Sequence, residues 1–129
     1  MGLMGVAAVG AYVRTLADIQ RITYAEVAEI AGVQAKYIWR LENEAIKEPS
    51  ARVLRLLNEA VHGQWEDIGA LIVAPEATES DGRTRALAWA ARAGLITPTD
   101  RAVIEQATPE DLDRAAEMLR QRAANLRGK

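Results

Sequence analysis

The feature that most restricts the fold is a punctuated stretch from Thr23 to Asn43. Thr23-Tyr24-Ala25-Glu26 has the spacing of a capping box. In such a box the Thr23 hydroxyl accepts from the Glu26 backbone N–H, and the Glu26 carboxylate reaches back to the N–H of Thr23. A short helix runs on to Ala31. Gly32 then offers the left-handed conformation that ends a helix sharply. A second helix, from Gln34 to Asn43, turns Ile38 and Leu41 inward beside Val33. Two short helices set at an angle by a small-residue turn present the second one outward.

The neighbouring segments also read as helices. Val6 to Gln20 carries Val9, Val13, Leu16 and Ile19 or Gln20 as an apolar stripe. Pro49-Ser50 opens a helix in which Leu54, Leu57 and Val61 share a face, broken at His62-Gly63. Gln64 to Val73 carries Trp65, Ile68 and Leu71 or Ile72. Composition agrees: Phe is absent and aromatics are few, which favours close-packed helices over a β-sandwich.

Residues 74–82 are polar and contain Pro75 and Gly82, so a linker over 75–82 is expected between a domain at 1–74 and a segment at 83–129. In that second segment a helix from Arg83 to Ala93 meets Gly94. Thr97-Pro98 and Thr108-Pro109 each pair an N-cap with a first-turn proline. The last of these helices, 109–127, places Leu112, Ala115, Ala116, Leu119 and Ala123 on one face. About 47 residues make a thin core alone, so this segment should cover the first domain or pair with a second copy of itself.

Several function classes lose ground. The chain has no cysteine, hence no disulfide framework and no thiolate zinc site. Its one histidine, His62, stands at a helix end, where capping or exposure is expected rather than base catalysis. No carboxylate spacing suits a metal and no glycine-rich phosphate loop occurs, so neither enzymatic activity nor a cofactor is expected. There is no apolar run of membrane-spanning length, no basic leader region and no myristoylation site, which points to the cytoplasm. Net charge is −2. Residues 1–74 hold seven Lys/Arg against nine Asp/Glu and residues 75–129 nine of each, so any anion-binding face must be local.

The chain resembles the lambda-repressor-like (XRE-type) helix-turn-helix regulators over roughly residues 6–73. The matching residues are Ile22-Thr23, Glu26-Val27-Ala28-Glu29-Ile30-Ala31-Gly32-Val33, Tyr37-Ile38, Arg40-Leu41-Glu42 and Glu48-Pro49-Ser50, with Leu54, Leu57, Val61 and Ile68 beyond. The resemblance implies an all-α, five-helix DNA-binding domain followed by a small helical dimerisation segment. The implied function is sequence-specific recognition of a double-stranded DNA operator, as a repressor, by a homodimer joined through residues 83–127. The helix at 34–43 would enter the major groove. Bases would be read by Ala35, Lys36, Tyr37 and Arg40, with Lys and Arg suited to guanine O6/N7 and Ala35 to a thymine methyl. Phosphate would be met by Asn43, Lys47 and the helix start at Tyr24, with Gln34 at the N-cap of the reading helix.

This sequence departs from the family at Tyr24 (commonly Gln), Gln34 (commonly Ser or Thr), Ala17 (commonly Arg) and Glu44 (commonly Gly). The Ala17 difference leaves Glu42 without its usual partner. Glu42, Glu44 and Glu48 would repel phosphate unless turned away. Lys36 and Arg40 could equally form a plain solvated face, and Tyr37 could pack its ring. Trp39 faces neither Ile38 nor Leu41 directly and could touch DNA, pack under the linker or bind a partner, with packing in the core or against a partner the expectation. A second reading of the same fold is a protein-interaction module, such as an antitoxin or co-regulator adapter, working through Trp39 and the C-terminal helices.

Overall fold

Helix ends fall largely where the sequence provides caps. The computed structural model describes residues 5–43, 45, 46, 49–97, 99 and 114. Among them are six helices and no strand: α1 (Val6–Gln20), α2 (Tyr24–Ala31), α3 (Lys36–Glu42), α4 (Ala51–Ala60), α5 (Trp65–Ile72) and α6 (Glu79–Ala93). The described chain is thus all-α. Thr23 Oγ1 accepts from the Glu26 N–H at 3.1 Å, and Ser50 Oγ from the Val53 N–H at 3.1 Å. Each satisfies a backbone donor that the first helical turn would otherwise leave unpaired. Gly32 stops α2 at φ 71°, and the Val33 N–H returns to the Ala28 carbonyl at 3.0 Å, closing a Schellman motif.

Two helix starts differ from the sequence reading by more than one residue. Helix α3 begins at Lys36 rather than Gln34. Gln34 does not cap it; its carbonyl accepts from the Tyr37 N–H at 2.9 Å, and Ala35 is already helical at φ −55°, ψ −35°. Gln lacks the short side chain that folds back onto the first-turn N–H groups. Helix α6 begins at Glu79, inside the segment expected to be a linker. Thr78 Oγ1 accepts from the Asp81 N–H at 3.2 Å, and Asp81 Oδ2 accepts from the Thr78 N–H at 2.7 Å. This complete capping box starts the helix four residues early. Gly94, at φ 72°, ends it as expected.

Helix α1 is the axis of the packing. It meets α6, α3, α5 and α2, and α6 is its most extensive partner. Its burial therefore runs well beyond the Val9–Val13–Leu16 stripe, to Ala8, Ala11, Tyr12, Thr15 and Asp18. Small residues make the close approach possible. A side chain at Gly82 would run into the Ala8 carbonyl, and Ala86 and Ala90 follow Gly82 on the same buried face of α6. On another side, a side chain at Gly10 would lie 2.6 Å from the Glu42 backbone N, where α3 ends on α1. The first helix of the segment expected to dimerise thus spends its apolar face on this chain's own core. The helices expected from Pro98 onward and over 109–127 fall, but for Thr99 and Arg114, outside the described residues.

A buried polar junction ties three helices together. The Tyr12 hydroxyl donates to Asp67 Oδ2 at 3.0 Å and accepts from the Gln64 N–H at 2.9 Å. Arg85 on α6 donates to Asp67 Oδ1 at 3.0 Å. Burial pushes the Tyr12 phenol well above its ordinary value; the Gln64 contact opposes that shift and the Asp67 carboxylate adds to it. Trp89 on α6 adds a further tie, its indole N–H donating to the His62 carbonyl at 2.8 Å. No helix among the described residues is long and apolar enough to cross a membrane.

Candidate nucleic-acid interface

Helix α3 is held by its inner face. Ile38 and Leu41 are fully buried in the core cluster, and Val33 and Tyr37 pack against it. Glu42 is 5% exposed and accepts from Arg14 at 3.0 Å. Burial works against the Arg14 charge, but Glu42 more than offsets it, and the guanidinium is held above its ordinary value. Arg14 also lies over the Tyr24 ring, 5.5 Å from its centroid. The Glu42 partner that the resemblance would place at position 17 is instead Arg14, one turn earlier on α1. Glu42 points into the protein and away from any anion approaching the outer face.

That outer face is polar with one exception. Lys36, Trp39, Arg40 and Asn43 are all exposed, and their i, i+3, i+4, i+7 spacing sets them on one side of α3. Trp39 is 58% exposed. It is not a core residue, contrary to one of its expected roles. Sequence periodicity could have indicated this, since Trp39 shares its face with Lys36 and Arg40 rather than with Ile38 and Leu41. The Asn43 side-chain amide donates to the Trp39 carbonyl at 2.8 Å, and the Asn43 backbone N–H donates to the same oxygen at 3.1 Å. The end of α3 is thereby fixed.

The other expected contact residues are placed as follows. Gln34 and Ala35 are exposed in the turn leading into α3. Tyr37 is half-buried, and that burial raises its phenol above the ordinary value. Tyr24 begins α2, but its side chain turns toward α1, its hydroxyl donating to Asp18 Oδ1 at 3.4 Å. That leaves the α2 backbone start, rather than the Tyr24 hydroxyl, as the part able to meet a phosphate. Lys47, like Glu44 and Glu48, lies outside the described residues. On α2, Glu26 and Glu29 are exposed, so the positive character belongs to α3 and not to the helix pair as a whole.

A cleft of about 850 Å³ between α5 and α6 includes Leu71, Ser80, Thr84 and Arg85 in its lining. It belongs to a different pair of helices, and its Arg85 is engaged by Asp67. Among the described residues no group of His, Cys, Asp or Glu could hold a metal ion. No protein-family model, no curated protein and no solved structure matches the chain.

Proposed function

We propose that this protein is a sequence-specific double-stranded DNA-binding regulator of the lambda-repressor-like class, which inserts α3 into the major groove and represses transcription from its operator. One observation carries the reading. Lys36 and Arg40 stand exposed one turn apart on a helix whose opposite face is anchored by Ile38, Leu41 and the Arg14–Glu42 pair. A rigid helix presenting two cations fits a groove walled by phosphates and floored by guanine acceptors. The inward turn of Glu42 removes one of three nearby carboxylates that would oppose phosphate. Operator binding as a two-fold dimer, with half-sites about one helical turn apart, belongs to the same proposal. Its dimer interface is assigned to residues beyond α6, since the apolar face of α6 is already buried.

The test is a titration with a duplex enriched from a random-sequence library, against unselected duplex, at two salt concentrations. Wild type should prefer the enriched duplex and weaken as salt rises. Lys36→Ala/Arg40→Ala should lose the preference, and the salt slope should fall by about one for each phosphate that the variant no longer neutralises. Equal binding of both duplexes by wild type and variant would refute the assignment of α3 as the reading helix.

A further inference from the structure

We infer that Trp39 is a specificity-determining residue of this site, its indole packing on the C5-methyl groups of thymine in the major groove. The inference rests on the DNA-binding reading above. An indole left 58% exposed presents a large apolar surface to solvent. Exposed tryptophans with well-fixed backbones are favoured anchors of binding surfaces, since they bury much area at a small cost in freedom. Here the backbone is fixed by the two Asn43 donors on the Trp39 carbonyl.

The flanking charges narrow the occupant. Lys36 precedes Trp39 by one turn and Arg40 follows it directly, both exposed on the same face. A complementary surface must therefore offer an apolar spot between negative charges. The floor of the major groove, framed by phosphates, has that character, and its prominent apolar group is the thymine methyl. Intercalation is a poor alternative, because apolar wedges that unstack base steps are characteristic of minor-groove binders. Trp39 thus selects thymine by contact, while Lys36 and Arg40 address guanine acceptors and phosphate.

The experiment selects duplexes from a random-sequence library with wild type and with Trp39→Ala, then replaces each thymine of the wild-type winner by uracil in turn. Uracil keeps every hydrogen-bonding group and removes only the methyl. Burying one such carbon is worth about a fourfold change in affinity. Wild type should weaken by about that factor at one or two thymines. Trp39→Ala, with its helical content and Tm unchanged, should bind the thymine duplex more weakly and fail to distinguish it from the uracil duplex. If wild type selects a duplex yet ignores uracil at every thymine, or if Trp39→Ala keeps the full preference, this inference fails and the DNA-binding reading stands. The indole then belongs to a protein partner. If wild type enriches no duplex at all, both fail together.

Discussion

Two glycines in helix interiors should respond to the same substitution with opposite signs. In a solvent-facing helix, Gly→Ala stabilises by about 0.5–1 kcal/mol, because alanine loses less backbone freedom on folding. Gly69 in α5 has open space where a Cβ would go, so Gly69→Ala should show that gain. Gly82 in α6 has the Ala8 carbonyl in that space, with the Ala8 carbonyl carbon 2.9 Å and the Tyr12 backbone N 3.1 Å from the new atom. These are backbone atoms of a buried helix and cannot rotate aside. Overpacking of this kind costs about 1–3 kcal/mol, and a backbone obstacle places it at the upper end. Less the propensity gain, Gly82→Ala should destabilise by about 2 kcal/mol. At about 4 °C per kcal/mol for a chain of this size, its Tm should fall by about 8 °C while that of Gly69→Ala rises by about 2–4 °C. Urea unfolding of the three proteins, with the slopes compared, supplies the free energies. A Gly82→Ala variant as stable as Gly69→Ala would refute the close packing of α6 on α1.

Other outcomes can be checked on the same proteins. Arg14→Met should cost about 2–4 kcal/mol by leaving Glu42 charged and buried, and, on the proposed function, it should also weaken DNA binding, because Glu42 ends the helix proposed to read the groove; unchanged stability would mean the pair is solvated. Tyr12→Phe should cost about 1–3 kcal/mol at neutral pH, since Asp67 and the Gln64 N–H lose a buried partner. Tyr12 also gives stability an alkaline limb. Its folded value lies above the ordinary value of about 10, so the unfolded chain releases its proton first. The contribution is complete below pH 10 and is lost as pH rises beyond it. Tyr37 acts in the same direction, so Tyr12→Phe should make the decline of unfolding free energy above pH 10 shallower without abolishing it.

Local chemistry made much of the fold legible from sequence. Thr23, Gly32, Ser50 and Gly94 each mark a helix end through their own backbone or hydroxyl preferences. What failed to show was set by residues far apart in the chain. Arg14 reaches Glu42 across 28 positions, and Tyr12 reaches Asp67 across 55, so no spacing rule connects either pair. The segment at 75–82 misled for a different reason. Its polar residues suggest a linker, yet Thr78 and Asp81 are a cap, and Gly82 is a point of close packing with a neighbouring helix rather than a break. At the candidate site, charge and periodicity indicated Lys36 and Arg40, whereas the inward turns of Glu42 and Tyr24 required the position of α1.

The pairing of α1 with α6 also sets the order of assembly. Chains built from local helix pairs fold fastest because little loop entropy opposes their contacts. Here the most extensive helix interface joins residues 6–20 to residues 79–93, the first and last described helices. On the ribosome, α1 emerges long before its main partner exists, and the Ala8 surface that meets Gly82 has no α6 to pack on until that helix has been synthesised. The helix that presents Lys36 and Arg40 thus rests on α1, whose largest interface is completed only when α6 has been synthesised.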